Sequence, residues 1–408
     1  MTRKALNPIT AATIVVIMYM IMPILSVAIS TYITTYAYML LVVFLIGFIV
    51  LSGGIQRLGK IITLLMPLMI YVGCTFFTNA DTTVLWGYNS MLFIFPVILG
   101  YYFFYYRAEN MNIFIAFIVF SILLTAITTI IGLIQFPLAA RTLATIASSD
   151  DPENIRYSWR NIGGYNFVYT SVLLYPILIL AHKLKKINLF IFLIITVALF
   201  VLIVLSEYTT ALILFLLSTL LYLIGRNTSA RQLLIIGILF FLAIFLLWPV
   251  ISNFILWFAN LFNSDVLNER LTALAGGLTG LENSESNRLE LFRMSLSGFW
   301  SSPFFGKIMG TDTSVGGHSF VLDTLANYGI IGGVALVFIY RNVYRLFFSP
   351  FNEEKNFGFV LWSFAQAIIL SIVNTGMWLN VLAFFIPALL SVIYKINSED
   401  NYESSLDS

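Results

Sequence analysis

Residues 187–225 carry a single charged side chain, Glu207, in a stretch about twice as long as the ~20 apolar residues that cross a bilayer. Such a run is too apolar to leave in water and too long for one crossing. A glutamate at the bilayer centre is also costly, so Ser206-Glu207-Tyr208-Thr209-Thr210 reads as a tight turn between two membrane helices. The same length criterion applied along the chain gives about twelve helices, at 9–30, 34–51, 61–77, 88–106, 111–136, 166–181, 187–206, 208–225, 233–257, 318–340, 357–375 and 377–394. Composition agrees: 60% of the residues are hydrophobic and 10% charged, against roughly 25% charged in soluble domains. The fold class expected is an all-α polytopic membrane protein. The single cysteine, Cys74, lies in an apolar run, which leaves no disulfide to consider. Met-Thr-Arg-Lys before the first run has no small-residue cleavage site after it, so that run reads as an uncleaved first helix.

Basic residues cluster on the cytoplasmic side of membrane proteins. With the N-terminus placed there, both termini are cytoplasmic, and of the 21 basic residues only Arg141, Arg156, Arg160, Arg270, Arg288, Arg293 and Lys307 lie outside. All of these fall in two long external loops, 137–165 and 258–317. Long loops are uncommon unless they serve a function. Within the second, Asn287 to Trp300 alternates Leu289, Leu291, Phe292, Met294, Leu296 and Phe299 with Arg288 and Arg293, a pattern for an amphipathic helix at the membrane surface. We expect one integral membrane domain, 1–396, with the two loops as its cap. The polar, acidic segment 397–408 is expected to be a disordered cytoplasmic tail.

Three stretches hold candidate chemistry. In Arg156-Tyr157-Ser158-Trp159-Arg160-Asn161-Ile162-Gly163-Gly164-Tyr165-Asn166, two guanidinium forks match phosphate oxygens, and two glycines permit close backbone approach. The alternative is that these arginines pair with Asp150, Asp151 or Glu153 as surface salt bridges. In Ser286-Asn287-Arg288-Leu289-Glu290-Leu291-Phe292-Arg293, Arg288 and Arg293 are splayed by about 140° on a helix. Only one of them can then face a given phosphate, the alternative being that both anchor the helix to lipid headgroups. The third is His318, at the border of the last long polar segment and the apolar run Ile330 to Tyr340. An imidazole there can take a proton from a hydroxyl, or it can serve only to cap or pack a helix. At helical spacing it shares a face with Leu322, Leu325 and Gly329. His182, in Ala181-His182-Lys183-Leu184-Lys185-Lys186, reads as part of a cytoplasmic anchor. Two histidines and one cysteine make no zinc cluster of the usual kind. No glycine-rich phosphate loop with its lysine occurs, and no Asp-x-Asp pair lies in an outside loop. Neither a metal nor a cofactor is signalled, and no nucleic-acid partner.

His318-Ser319-Phe320-Val321-Leu322-Asp323-Thr324-Leu325-Ala326-Asn327-Tyr328-Gly329-Ile330-Ile331-Gly332 resembles the His-Asn-x-x-Leu-x-x-Leu-x-x-x-Gly-x-x-Gly signature of Wzy-type bacterial polysaccharide polymerases and O-antigen ligases. Ser286-Asn287-Arg288 with Pro303-Phe304-Phe305-Gly306 is similar to the segment that precedes that histidine. Arg160-Asn161-Ile162-Gly163-Gly164-Tyr165-Asn166 is similar to the family's Arg-x-x-Gly segment. Ser319 stands where many members have asparagine, and the 206–209 turn lacks an arginine often found there.

The resemblance implies a GT-C-like membrane fold in the cytoplasmic (inner) membrane and a metal-independent, inverting glycosyl transfer on its outer face. The implied partners are an undecaprenyl-pyrophosphate-linked oligosaccharide, membrane lipids and, as a further candidate, a chain-length regulator. It implies catalytic roles for His318, which takes the acceptor's proton, and for Arg160 and Arg288, which hold the leaving diphosphate. Arg156, Arg293, Gly163, Tyr165, Asn166, Ser319 and Asp323 are the implied substrate-binding residues. Transfer to another acceptor, as by an O-antigen ligase, is the nearest alternative. A lipid-linked oligosaccharide flippase or small-solute transporter is the alternative of another class, distinguished by charges at the midplane rather than at the outer boundary.

Overall fold

A computed structural model describes residues 8–32, 47, 66–71, 73–74, 96–104, 111–145, 151–224, 230–259, 272, 275, 288–309 and 315–394. The spans expected at 34–51, most of 61–77 and 88–106, together with Asp150, Arg270 and the tail 397–408, lie outside the described residues. Every regular element described is helical. The helices are α1 (Pro8–Ile21), α2 (Pro23–Tyr32), α3 (Met111–Gln135), α4 (Ala139–Thr145), α5 (Pro152–Trp159), α6 (Tyr165–Lys183), α7 (Leu189–Ser206) and α8 (Thr209–Ile224). They continue as α9 (Ala230–Ala259), α10 (Arg288–Ser301), α11 (Phe320–Phe347), α12 (Gly358–Val373) and α13 (Ile386–Tyr394), the last preceded by a π turn at Val381–Phe385. Among the described residues four helices are long and apolar enough to cross a membrane, six if two bent pairs count as single spans. The chain is a helical membrane protein.

Helix α6 is the axis of the bundle. It is buried from Phe167 to Ile177, and α12, α7 and α8 pack around it. Several polar atoms on this axis are matched between helices, which is favoured where no water competes, although the Gln366 side-chain oxygen has no partner among the described residues. Trp362 Nε1 and Gln366 Nε2, on α12, both donate to Ser218 Oγ on α8, and Ser363 Oγ donates to the Leu173 carbonyl of α6. The outer surface is apolar: Phe190, Val197, Ile127 and Ile134 are exposed on α7 and α3, a charge-free girdle suited to lipid.

The tight turn expected after Ser206 is present. Glu207, with φ of 60°, ends α7 in the left-handed conformation, and α8 starts two residues later. Its carboxylate lies at the end of the bundle rather than in its middle. At the opposite end His182 stacks on Phe192 at 4.5 Å, and Lys183 Nζ lies 4.7 Å from the centre of the Phe359 ring. These contacts tie the basic segment to the neighbouring helices.

Three expected spans are not straight, the one at 233–257 bending by 62° within α9. The first is bent by 112° between α1 and α2, because Pro23 lacks the N–H that would continue the helix. The span expected at 318–340 begins at Phe320, runs on to Phe347, and is broken at Gly329, whose φ of 61° and ψ of −155° are not helical. The face expected to unite His318 with Gly329 is therefore not formed: His318 precedes the helix and Gly329 interrupts it. The break has a definite cause. The Pro303-Phe304-Phe305-Gly306 turn wedges into it, and the Pro303 carbonyl accepts the Ile330 N–H at 2.8 Å. The two backbones meet where both are glycine, since a Cβ on Gly329 runs into the Phe304 carbonyl and one on Gly306 into that of Asn327. Both glycines have positive φ.

Gly329→Ala is expected to destabilise the protein by about 2 kcal/mol or more, from the left-handed conformation alone plus the backbone clash. Gly333→Ala, which meets mainly the flexible end of Leu325, serves as the mild control. Thermal unfolding of the two variants in detergent, against the parent, measures the difference.

Candidate functional site

Arg160 follows α5, a short helix opened by Pro152 and capped by Asp151, whose carboxylate accepts the Glu153 N–H at 2.8 Å. That cap engages one of the three acids that were alternative partners for the arginines; Glu153 is exposed, and Asp150 lies outside the described residues. Arg156 and Arg160 instead share one aromatic ring: their guanidinium carbons lie 5.2 and 4.4 Å from the centre of the Phe136 ring. Among the described residues neither pairs with a carboxylate, and both are exposed. Two cations over a ring, without a carboxylate partner among the described residues, can meet an anionic ligand.

What fixes Arg160 is its neighbour. Asn161 adopts φ of 54°, a conformation asparagine tolerates, and is buried among three helices. Its amide donates to Thr125 Oγ1 at 3.2 Å and Thr128 Oγ1 at 3.0 Å on α3. Its side-chain oxygen accepts the Ile24 N–H at the start of α2, and its carbonyl accepts from Thr128 Oγ1 at 2.8 Å. Two residues on, the Gly163 N–H donates to Thr129 Oγ1 at 2.7 Å. Gly163 is buried, and a Cβ there collides with the Phe167 ring, so packing accounts for this glycine. Asn166 is exposed on the first turn of α6.

The His318 turn is held with similar care. Ser319 caps α11, accepting the Leu322 N–H at 3.1 Å, and Asp323 Oδ2 reaches back to accept the Ser319 N–H at 3.1 Å. Asp323 Oδ1 accepts from Ser295 Oγ on α10, and that hydroxyl accepts the Gly316 N–H at 3.0 Å. Ser319 and Asp323 thus shape the turn, with both carboxylate oxygens engaged. His318 itself is exposed, and its Nδ1 lies 3.0 Å from the Gly317 carbonyl. A carbonyl only accepts, so this contact assigns the proton to Nδ1 and leaves Nε2 as the acceptor of the neutral ring.

Helix α10, expected as an amphipathic surface helix, forms from Arg288 to Ser301 and packs on α11 through Leu291, Ser295 and Gly298. Arg288 stands seven residues before Ser295, two turns earlier along the same flank, whereas Arg293 is exposed and off that flank. The side chain of Arg288 lies outside the described residues.

The two turns meet through a third that sequence reading passed over, Asn374-Thr375-Gly376-Met377-Trp378. The Asn374 carbonyl accepts the Phe320 N–H at 2.9 Å, beside His318. Trp378 lies 6.1 Å from the Tyr165 ring and 5.8 Å from that of Tyr169, and these tyrosines pack on Tyr208 at 5.8 Å each. The Arg160 turn, the Glu207 turn, the 374–378 turn and the His318 turn are thus at one end of the bundle. Compared with protein-family models and with curated proteins, the chain matches none. Asn161 and Trp378 gave no motif to find; the signal that was there is conformational, a polar or bulky residue at positive φ.

Ser295→Ala and Asp323→Ala are expected to be coupled, each alone destabilising and the pair less than additive by about 0.5–3 kcal/mol. A double-mutant cycle on unfolding free energies measures this coupling.

Proposed function

We propose that the chain is a Wzy-type polysaccharide polymerase, twelve-spanning and GT-C-like, in the cytoplasmic membrane with both termini inside. It transfers an undecaprenyl-pyrophosphate-linked glycan onto a lipid-linked repeat unit at the outer face, with inversion and without a metal. The reading is supported by two guanidinium groups, without carboxylate partners among the described residues, and an exposed imidazole with Nε2 as acceptor, on turns at the same end of the bundle. Breaking the anomeric C–O bond to the diphosphate leaves negative charge on its oxygens. Preorganised cations at that point are a large source of rate enhancement, and Arg160, Arg156 and Arg288 are assigned to it. As the acceptor hydroxyl attacks the anomeric carbon it loses its proton to His318 Nε2. The basic residues gathered around His182 and Lys183 at the other end support the cytoplasmic assignment of that end. Unpaired cations at a bundle end rather than midway favour transfer over transport.

His318→Ala is expected to slow transfer by about 10²–10⁴-fold, and Arg288→Ala to abolish chain extension, with expression and membrane insertion unchanged. Glycan ladders from deletion cells complemented with each variant report this; long chains made by either variant remove its assigned role.

Purified protein with lipid-linked repeat unit is expected to elongate it in the presence of a chelator, since the arginines carry the charge. An assay that proceeds only when divalent metal is restored overturns the mechanism, and transfer solely to a different lipid acceptor assigns the ligase activity instead.

A further inference from the structure

The connection from α6 to α7, at the end of the bundle away from His318, holds His182, Lys183, Lys185 and Lys186 within five residues. It is closed by its own backbone, the Lys185 N–H donating to the His182 carbonyl and the Lys186 N–H to that of Ala181, each at 2.9 Å. A helix that stops in this way turns at one left-handed residue, most often glycine. Here that residue is Lys185, with φ of 59°. A side chain is a burden in that conformation, so the backbone gives no reason for a lysine. Nor does the helix end, whose field falls off within its last turn and already has Lys183 there. Lys185 and Lys186 are both exposed, and among the described residues neither pairs with a carboxylate. Directly beyond them the surface turns to hydrocarbon. Asn188 caps α7 by accepting the Ile191 N–H at 2.8 Å, and Leu189 and Phe190 in its first turn are 55% and 72% exposed. The end of α8 lies alongside, Tyr222 being 5.4 Å from Phe192, and its last residues Leu223 and Ile224 are exposed as well.

We propose that this corner is a binding site for an anionic phospholipid, whose phosphate is held by Lys185 and Lys186 and whose acyl chains run along Leu189, Phe190, Leu223 and Ile224. Uncompensated cations beside exposed apolar side chains match the two parts of such a molecule, and a phospholipid brings its phosphate to the border where charge gives way to hydrocarbon. A lipid with an ammonium of its own fits less well, because that charge repeats those of the lysines. The turn is held firmly enough to serve as a site. The His182 ring stacks on Phe192 at 4.5 Å with Nδ1 3.2 Å from the Ile187 carbonyl, and Lys183 Nζ lies 5.4 Å from the Tyr222 ring and 4.7 Å from that of Phe359. Lys183 thereby ties the corner to α8 and α12, and the two exposed lysines are left for the headgroup. The site is separate from the arginine and histidine turns at the other end and holds whatever reaction they perform.

The test is native mass spectrometry of the purified full-length protein titrated with phosphatidylglycerol or with phosphatidylcholine of the same chains. The parent is expected to retain phosphatidylglycerol selectively. Lys185→Gly and Lys186→Gln are each expected to weaken that binding about five-fold, as a cation near a membrane surface typically contributes, with phosphatidylcholine unaffected and Lys186→Arg keeping the parent's selectivity. Thermal unfolding in lipid-free detergent separates binding from folding: Lys185→Gly is expected to melt at or above the parent, since glycine takes the left-handed position without strain. Should it melt lower, Lys186→Gln against Lys186→Arg decides alone. Equal retention of the two lipids by the parent, parent-level retention by Lys186→Gln, or equal stabilisation of the protein by free glycerol phosphate overturns the site.

Discussion

A backbone N–H released by a helix break finds no water in a bilayer, and leaving it bare costs several kcal/mol. The breaks at Pro23 and Gly329 are each mended from another part of the chain. The bend at Pro23 frees Ile24, whose N–H is accepted by Asn161. The break at Gly329 frees Ile330, accepted by Pro303, and the start of α11 at Phe320 is accepted by Asn374. The turn after Arg160 is closed by Gly163 donating to Thr129. These exchanges hold the irregular segments in register with the bundle.

The same exchanges put the candidate chemistry where it is. The backbone beside Arg160 is fixed by Asn161, bonded to α2 and α3 together, as the proposed anion clamp requires. His318 is set by Ser319, Asp323 and Ser295, which consume their own hydrogen-bonding capacity in shaping one turn. Residues that look like ligand contacts by type, Asp323 and Gly163, serve as framework, and the exposed groups around them are left for chemistry.

Much of the layout was legible from the residues. Helices α3, α6, α7, α8 and α12 begin and end within about three residues of the apolar runs, because only hydrophobic length decides where a chain can cross. The turn at Glu207 followed from the expense of a carboxylate in hydrocarbon. Helix breaks were less visible: Gly329 lies in a run that remains apolar on both sides, and hydropathy does not sense the arrival of the Pro303 turn from elsewhere. Asn161 was passed over for a similar reason, since an asparagine between arginine and glycine looks like any polar loop residue until Thr125, Thr128 and Thr129 are seen facing it. The tie between Asn374 and Phe320 joins segments more than fifty residues apart, and no local pattern encodes it.

The wedge of Pro303–Gly306 into α11 has a mechanical side. The first part of that helix, Phe320–Tyr328, is held at its beginning by α10, through Ser295 and Asp323, and at its end by the turn that follows α10, through Pro303 and the facing glycines. Fastened at two points, it has no independent pivot. The start of α11, with the His318 turn ahead of it, is thereby joined to α10 as one stiff unit.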